Sequence, residues 1–276
     1  MTVAVITGTT HGIGRVTAGE LAKAGLTVVM LCRDLEAGRR VRDEISAEAP
    51  EACVHVHACD LASLASVRAC AAAIRGEFEE ISLLINNAGA VSARHRMSED
   101  GFELTFATNH LGPFLLTQLL RDRMAAGGRI INVASRAHYG GRLDLDGIQS
   151  PRGRYSATAA YAQSKLANVL HTFALARRLG GGSVTANCLH PGVVATHLLP
   201  RWLRILKPLM TRVTFTPERG ARTTLYLALS NEVAGVTGRY FDEHQRVQPA
   251  SALANDLPLQ ERLWTASERW TRSSVQ

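Results

Sequence analysis

Val3-Ala4-Val5-Ile6-Thr7 runs straight into Gly8-Thr9-Thr10-His11-Gly12-Ile13-Gly14, and the reading of this stretch decides the fold. The apolar, β-branched run reads as a buried strand. Glycines at 8, 12 and 14 allow a tight turn, close backbone approach and an open helix N-terminus whose N–H groups can face a pyrophosphate. The spacing is GxxxGxG rather than the GxGxxG of many dinucleotide-binding turns, and a glycine-rich turn can also simply join a strand to a helix.

Working outward, apolar runs alternate with longer helical patterns. Val3–Thr7, Thr27–Cys32, Val54–Ala58, Leu83–Asn86, Arg129–Val133 and Val184–Leu189 read as strands, with Arg239–Phe241 as a seventh. Helical stretches lie near 13–24, 35–48, 63–77, 101–125 and 158–179. This alternation predicts an α/β fold: a doubly wound parallel sheet of about seven strands with helices on both faces. No repeat or linker divides the chain, so one domain over 1–276 is expected. Two stretches break the rhythm. His138–Ala157, rich in Gly and Ser, reads as a long loop on the active-site side, and His197–Phe215, with Leu198, Trp202, Leu206 and Met210, as an irregular helical lid.

Composition narrows the function classes. The chain has 276 residues, 46% hydrophobic and 20% charged, with a mean hydropathy of -0.00, which suits a globular protein with a full core. No signal peptide or membrane span is expected from the pattern. Five cysteines (Cys32, Cys53, Cys59, Cys70, Cys188) without a CxxC pair point to a reduced, cytoplasmic setting. The net charge of +7 raises nucleic-acid binding. The arginines are dispersed along predicted helices without interleaved aromatics, so no nucleic-acid partner is expected. His55 and His57 share a strand face near Cys53 and Cys59, yet strand alternation accounts for them without a metal.

Tyr161 and Lys165 stand four residues apart in a segment rich in Ala and Leu that reads as helix, so both lie on one face. A phenol titrates near ~10 and is a poor acid or base at neutral pH. A neighbouring ammonium should draw that pKa toward the working range. A lone Tyr–Lys pair at this spacing is more often a half-buried ring beside a solvated charge.

The pair does not stand alone. Thr7-Gly8-x-x-x-Gly12-Ile13-Gly14, Asn86-Asn87-Ala88-Gly89, Ser135, Tyr161-x-x-x-Lys165 and Pro191-Gly192 occur together and in order. The chain thereby resembles the short-chain dehydrogenase/reductase family, a single-domain Rossmann fold, over nearly its whole length. Cys32-Arg33-Asp34, Asn109-His110-Leu111-Gly112, Ser164-Lys165-Leu166-Ala167-Asn168 and Thr216-Pro217-Glu218-x-Gly220 resemble its retinol dehydrogenase-like branch, which includes protochlorophyllide reductase.

The resemblance implies catalytic roles for Asn109, Ser135, Tyr161 and Lys165. Tyr161 would exchange a proton with the substrate oxygen, Lys165 would hold the nicotinamide ribose, Ser135 would hydrogen-bond the reacting oxygen, and Asn109 would position a water linking Lys165 to solvent. It implies cofactor contacts for Gly8, Thr10, His11, Gly12, Ile13 and Gly14, for Asp60 and Leu61 at the adenine, and for Asn87, Ala88 and Gly89 beside the riboses. Pro191, Gly192, Val194 and Thr196 would meet the nicotinamide end. Asp60 could instead cap the next helix, and His190 reads as structural.

Cofactor choice rests on the end of the second strand. Arg33 offers a planar cation suited to a 2′-phosphate, and Asp34 is an acidic residue of the kind that accepts from ribose hydroxyls. NADP(H) is favoured over NAD(H). Two departures from the branch stand out: Ala134 where many relatives have Ser, and Pro113 where the branch often has His. The expected activity is hydride transfer between nicotinamide and a carbonyl or alcohol carbon of a hydrophobic small molecule (polyketide-, terpenoid-, retinoid- or steroid-like). The alternative is a cofactor-binding regulatory protein with little turnover. Relatives often pair through their long helices, so a homo-oligomer is a further expectation, and the lid could also lie on a membrane surface.

Overall fold

In the computed structural model, which describes residues 2–148, 154–193 and 215–272, strand β1 (Val3–Thr7) is buried along its whole length. Val3 and Val5 join one apolar cluster, and Ala4 and Ile6 join another. Strand β2 (Thr27–Cys32) splits likewise, Val29 and Leu31 to the first cluster, Val28 and Met30 to the second. Side chains alternate across a strand, so a run apolar at every position belongs to a sheet covered on both faces.

The remaining strands are β3 (Val54–Ala58), β4 (Ile81–Asn86), β5 (Met124–Val133), β6 (Thr185–Leu189), β7 (Tyr240–Phe241) and β8 (Val247–Gln248), in spatial order β3-β2-β1-β4-β5-β6-β7-β8. All pairings are parallel except β7 with β8. The eighth strand adds one short antiparallel edge to the seven expected. It is two residues long and carries no alternation to read.

Helices α1 (Gly12–Lys23), α2 (Leu35–Glu48) and α7 (Pro217–Leu229) cover one face. Helices α3 (Leu64–Glu77), α5 (Gly112–Leu120) and α6 (Ala157–Arg178) cover the other, and α8 (Leu257–Arg272) packs outside α6. Helices α7 and α8 were not among the sequence expectations, although both carry legible signals. Thr216 caps α7 with Pro217 at its first turn, and Leu263, Trp264 and Trp270 give α8 an apolar stripe.

The long helix expected over 101–125 is broken. A short α4 (Leu104–Phe106) passes into a π-helical turn, Ala107–Leu111, before α5, and residues from Met124 onward already belong to β5. Helical periodicity does not resolve a single wide turn, and the five residues before Arg129 carry little β propensity.

Candidate active site

The chain leaves β1 toward β2 on one side and reaches β4 on the other, so β1 and β4 flank the point where strand order reverses. Ligands of open α/β sheets bind in the crevice at the carboxyl ends of strands at such a point. Gly8, Arg33 and Asn87 follow directly on strand ends along this edge, and Asp60, Ser135 and Pro191 come one residue later.

The glycine turn is clasped from the opposite side. Asn87 donates through Nδ2 to the carbonyls of Thr7 at 2.9 Å and Gly8 at 3.2 Å. The Thr7 hydroxyl accepts from the amides of Asn87 and Ala88, each at 3.0 Å. Gly8 and Gly12 have φ of +73° and +61°, values that side chains other than glycine rarely adopt. A Cβ at Gly14 would strike the Gly8 carbonyl and the Asn87 amide. Helix α1 begins here with no side-chain cap bond from His11 and no acidic residue in its first turn. Its N-terminal amides and positive dipole end suit a pyrophosphate, so the residues present fit a dinucleotide.

Tyr161 and Lys165 emerge from the first turns of α6. Lys165 Nζ donates to the Val133 carbonyl at 2.7 Å, lies 5.7 Å from the centre of the Tyr161 ring, and would sit 3.6 Å from a Cβ at Gly89. An ammonium has three donors, and this bond occupies one. Burial pushes the Lys165 pKa down to about 8. Burial also raises the Tyr161 phenol, partly offset by its hydrogen bond with Ser135. Here the geometry departs from expectation: Lys165 is not among the causes that move the phenol. Its charge is turned to a backbone carbonyl and held over the ring, so desolvation dominates both groups.

Ser135 caps the short 3₁₀ turn Arg136–Gly140, its hydroxyl accepting from the Ala137 amide at 3.2 Å. Asn109 lies in the π-helical turn and is fully buried. Its Oδ1 accepts from the Ala90 amide at 2.7 Å, and its Nδ2 donates to the Ala90 carbonyl at 2.9 Å and to Ser164 Oγ at 3.0 Å. The side chain is therefore consumed in holding the loop after β4. What Asn109 can offer a water is its main-chain carbonyl, and Pro113, four residues on, has no N–H to give it. Ser164, which in turn donates to the Tyr161 carbonyl at 2.8 Å, is a partner that sequence reasoning missed although it stands inside the Tyr161–Lys165 motif.

At the adenine end, Asp34 is the N-cap of α2, accepting from the Ala37 amide at 3.0 Å. Arg33 beside it is exposed and has no ion-pair partner among the described residues. Asp60 does not cap α3. Ser63 does, while Asp60 Oδ1 accepts from the Ala62 amide at 3.0 Å and closes its own turn. Leu61 is buried, with its carbonyl against Gly112. Thr10 bonds His11 side chain to side chain at 3.0 Å, and Ile13 packs on Ala221 of α7.

Gly192 has φ +83°, and a Cβ there would strike the Phe215 ring. Val194, Thr196 and the lid expected at 197–215 lie outside the described residues, except Phe215. Beside Asn109, a cavity of about 380 Å³ is lined by Ala90, Val91, Ser92, Ala93, Leu104 and Thr105 with the exposed Arg94 and Arg96. His55 and His57 both reach one carboxylate, Glu77, at 2.6 and 2.9 Å. His190 is buried, and its pKa is pushed down to about 4.

The sequence model of the short chain dehydrogenases matches residues 2–204. The chain belongs to that family. It is an NAD(P)-dependent oxidoreductase acting on CH–OH groups, and it falls in the retinol dehydrogenase-like branch. Retinol dehydrogenase 13 of Homo sapiens is 43% identical over 276 residues, covering 96% of this chain and 83% of its own. A crystal structure of an uncharacterised Mycobacterium paratuberculosis protein superposes with a TM-score of 0.80 at 36% identity, covering 99% of this chain and 94% of that one. A blue fluorescent protein from a metagenomic library, solved with NADPH, gives 0.69 at 27% identity, covering 87% and 95%.

Proposed function

We propose that this short-chain dehydrogenase/reductase is an NADP(H)-dependent carbonyl reductase or alcohol dehydrogenase for a hydrophobic small molecule, with Asn109, Ser135, Tyr161 and Lys165 as its catalytic set. The observation that carries the reading is the convergence of Tyr161, Lys165 and Ser135 with the Asn109 turn beside the clasped Gly8–Gly14 crevice. When bound, the nicotinamide supplies or accepts the hydride. Tyr161 transfers the proton to or from the substrate oxygen, and Ser135 donates to that oxygen as charge builds on it. Lys165 uses its remaining donors on the ribose hydroxyls. The Asn109 carbonyl holds a water through which Lys165 is reprotonated. The α1 amides bind the pyrophosphate, with Thr10, His11, Gly12, Ile13 and Gly14 around it.

Arg33 pairs with the 2′-phosphate in this reading. Asp34 supports it, since its carboxylate is engaged in capping α2 and is less available to ribose hydroxyls. The name of the relative acting on retinol, together with the apolar lining of the cavity beside Asn109, supports a retinoid-, terpenoid-, steroid- or polyketide-like substrate. One catalytic domain in the cytoplasm completes the proposal, and the free thiols support a reducing setting. Among the described residues no helix is long and apolar enough to cross a membrane. Helix α8 lies over α6, so a homo-oligomer would use another surface.

The test is NADPH consumption with a panel of all-trans-retinal, decanal, benzaldehyde and a steroid ketone, with NADH in parallel. Turnover with NADPH that Tyr161→Phe abolishes is the expected result. A signal that survives that substitution would remove Tyr161 from the proton transfer, and no turnover of any carbonyl despite NADPH binding would leave the chain a cofactor-binding protein.

A further inference from the structure

The described chain beyond the family match contributes directly to the turn that carries Ser135. His138 is fully buried, and its Nδ1 stands 2.7 Å from the Ser135 carbonyl. On its other side, the backbone amide of Ser251 donates to His138 Nε2 at 3.3 Å. An amide can only donate, so Nε2 is the accepting nitrogen, and the ring proton resides on Nδ1, pointed at Ser135. Burial lowers the His138 pKa and keeps the ring in this neutral form. The ring packs edge-on against Tyr240 of β7 at 4.7 Å, which fixes its plane. A second anchor lies one residue on, where the Tyr139 hydroxyl donates to the Pro249 carbonyl at 2.6 Å.

The segment so gripped does not end there. Ser251 opens the turn that leads into α8, and Gln260 on α8 donates back to the Ala254 carbonyl at 2.7 Å. Helix α8 packs along α6, from which Tyr161 and Lys165 project. The strap between β8 and α8 thus ties the Ser135 turn to the helix bearing the proton donor, and His138 is the joint.

We infer that His138 is a positioning residue for Ser135, locking the Ser135 turn against the C-terminal strap at Pro249–Ser251 so that the Ser135 hydroxyl is held where the substrate oxygen reacts. The inference rests on the catalytic role proposed for Ser135. It assigns to residues 247–255 a part in turnover that involves no contact with substrate.

The test is a double-substitution cycle on the carbonyl of the panel that the wild-type chain reduces fastest. His138→Phe keeps the ring's volume and removes both bonds. It should lower kcat about tenfold while the KM for the carbonyl and the Kd for NADPH stay within about twofold. In a Ser135→Ala background the same substitution should cost nothing further. His138→Asn, whose amide can still donate toward the Ser135 carbonyl, should restore most of kcat. Tyr139→Phe, at a half-exposed site, should lower kcat about threefold, again only when Ser135 is present. An equal loss with and without Ser135, or unchanged kcat in His138→Phe, overturns the inference. Should His138→Phe not fold, an unchanged kcat in Tyr139→Phe overturns it. If Ser135→Ala alone leaves kcat intact, the role proposed for Ser135 fails instead.

Discussion

Lys165 Nζ lies 5.7 Å from the centre of the Tyr161 ring and donates one hydrogen bond to the Val133 carbonyl. The cation therefore stands over the ring, tied to the last residue of β5, two positions before Ser135. Both groups are desolvated, and each resists charging: the lysine titrates at about 8 and the phenol above its usual value. A bound dinucleotide, which brings negative charge to the crevice, favours the ammonium and so raises the lysine's pKa.

A proton should accordingly be taken up on nucleotide binding near pH 8, where about half the Lys165 side chains are neutral beforehand. Titration calorimetry of NADPH binding in two buffers of different ionisation enthalpy measures this. Uptake of up to about half a proton is expected in the wild-type chain and none in Lys165→Met. Equal uptake in both would mean that Lys165 is not the group facing the nucleotide. The same variant should lose turnover by about a hundredfold.

Ser164 supplies the acceptor for one of the two Asn109 amide protons. Ser164→Ala leaves that buried donor without a partner, which costs roughly 1–3 kcal/mol of local stability. Turnover is expected to fall about tenfold or more, with the basic limb of the pH profile moved, because the π-helical turn loses its fixed position over Lys165. A variant with lower thermal stability but an unaltered pH profile would reduce Ser164 to a packing role.

Asp34→Ala separates capping from cofactor choice. Loss of an N-cap should cost about 1 kcal/mol in denaturant unfolding, with little change in NADPH affinity. Arg33→Ala should do the reverse, leaving stability unchanged and weakening NADPH about tenfold or more relative to NADH. Equal nucleotide affinities before and after that change would remove Arg33 from the 2′-phosphate site.

His171 of α6 is buried against Phe114 of α5 and Trp264 of α8, and burial pushes its pKa down to about 3. A histidine whose folded pKa is depressed keeps its full stability above the unfolded value of about 6.5 and loses it as the pH falls, because the unfolded chain binds the proton first. At pH 5 this one residue should cost about 2 kcal/mol. Chemical denaturation between pH 7 and 5 should show that loss, and His171→Leu should flatten it. A wild-type chain equally stable at both pH values would contradict the burial of neutral His171.

Much of the site was legible because its chemistry is written in side chains at short spacing. Gly8-x-x-x-Gly12-x-Gly14 and Tyr161-x-x-x-Lys165 each lie within one local element, so helix geometry alone brings their members together. The β-α alternation was legible for the same reason: buried parallel strands read as short apolar runs. Asp60 was read as a candidate cap, and the structure gives that task to Ser63, because several polar side chains near a helix start compete and local packing chooses among them.

What the residues determined unaided was most of the order of strands and helices along the chain, the glycine turn and the shared helix face of Tyr161 and Lys165, since these follow from local sterics and periodicity. Tertiary structure alone decided the rest. The partner of Lys165 is a backbone carbonyl at the end of β5, which no side-chain pattern announces. The full engagement of Asn109 by Ala90 and Ser164, and the grip of His138 on Ser251, join positions from 19 to 113 residues apart. Such contacts form only once the sheet has brought distant strand ends to one edge, where burial favours polar atoms that find a partner.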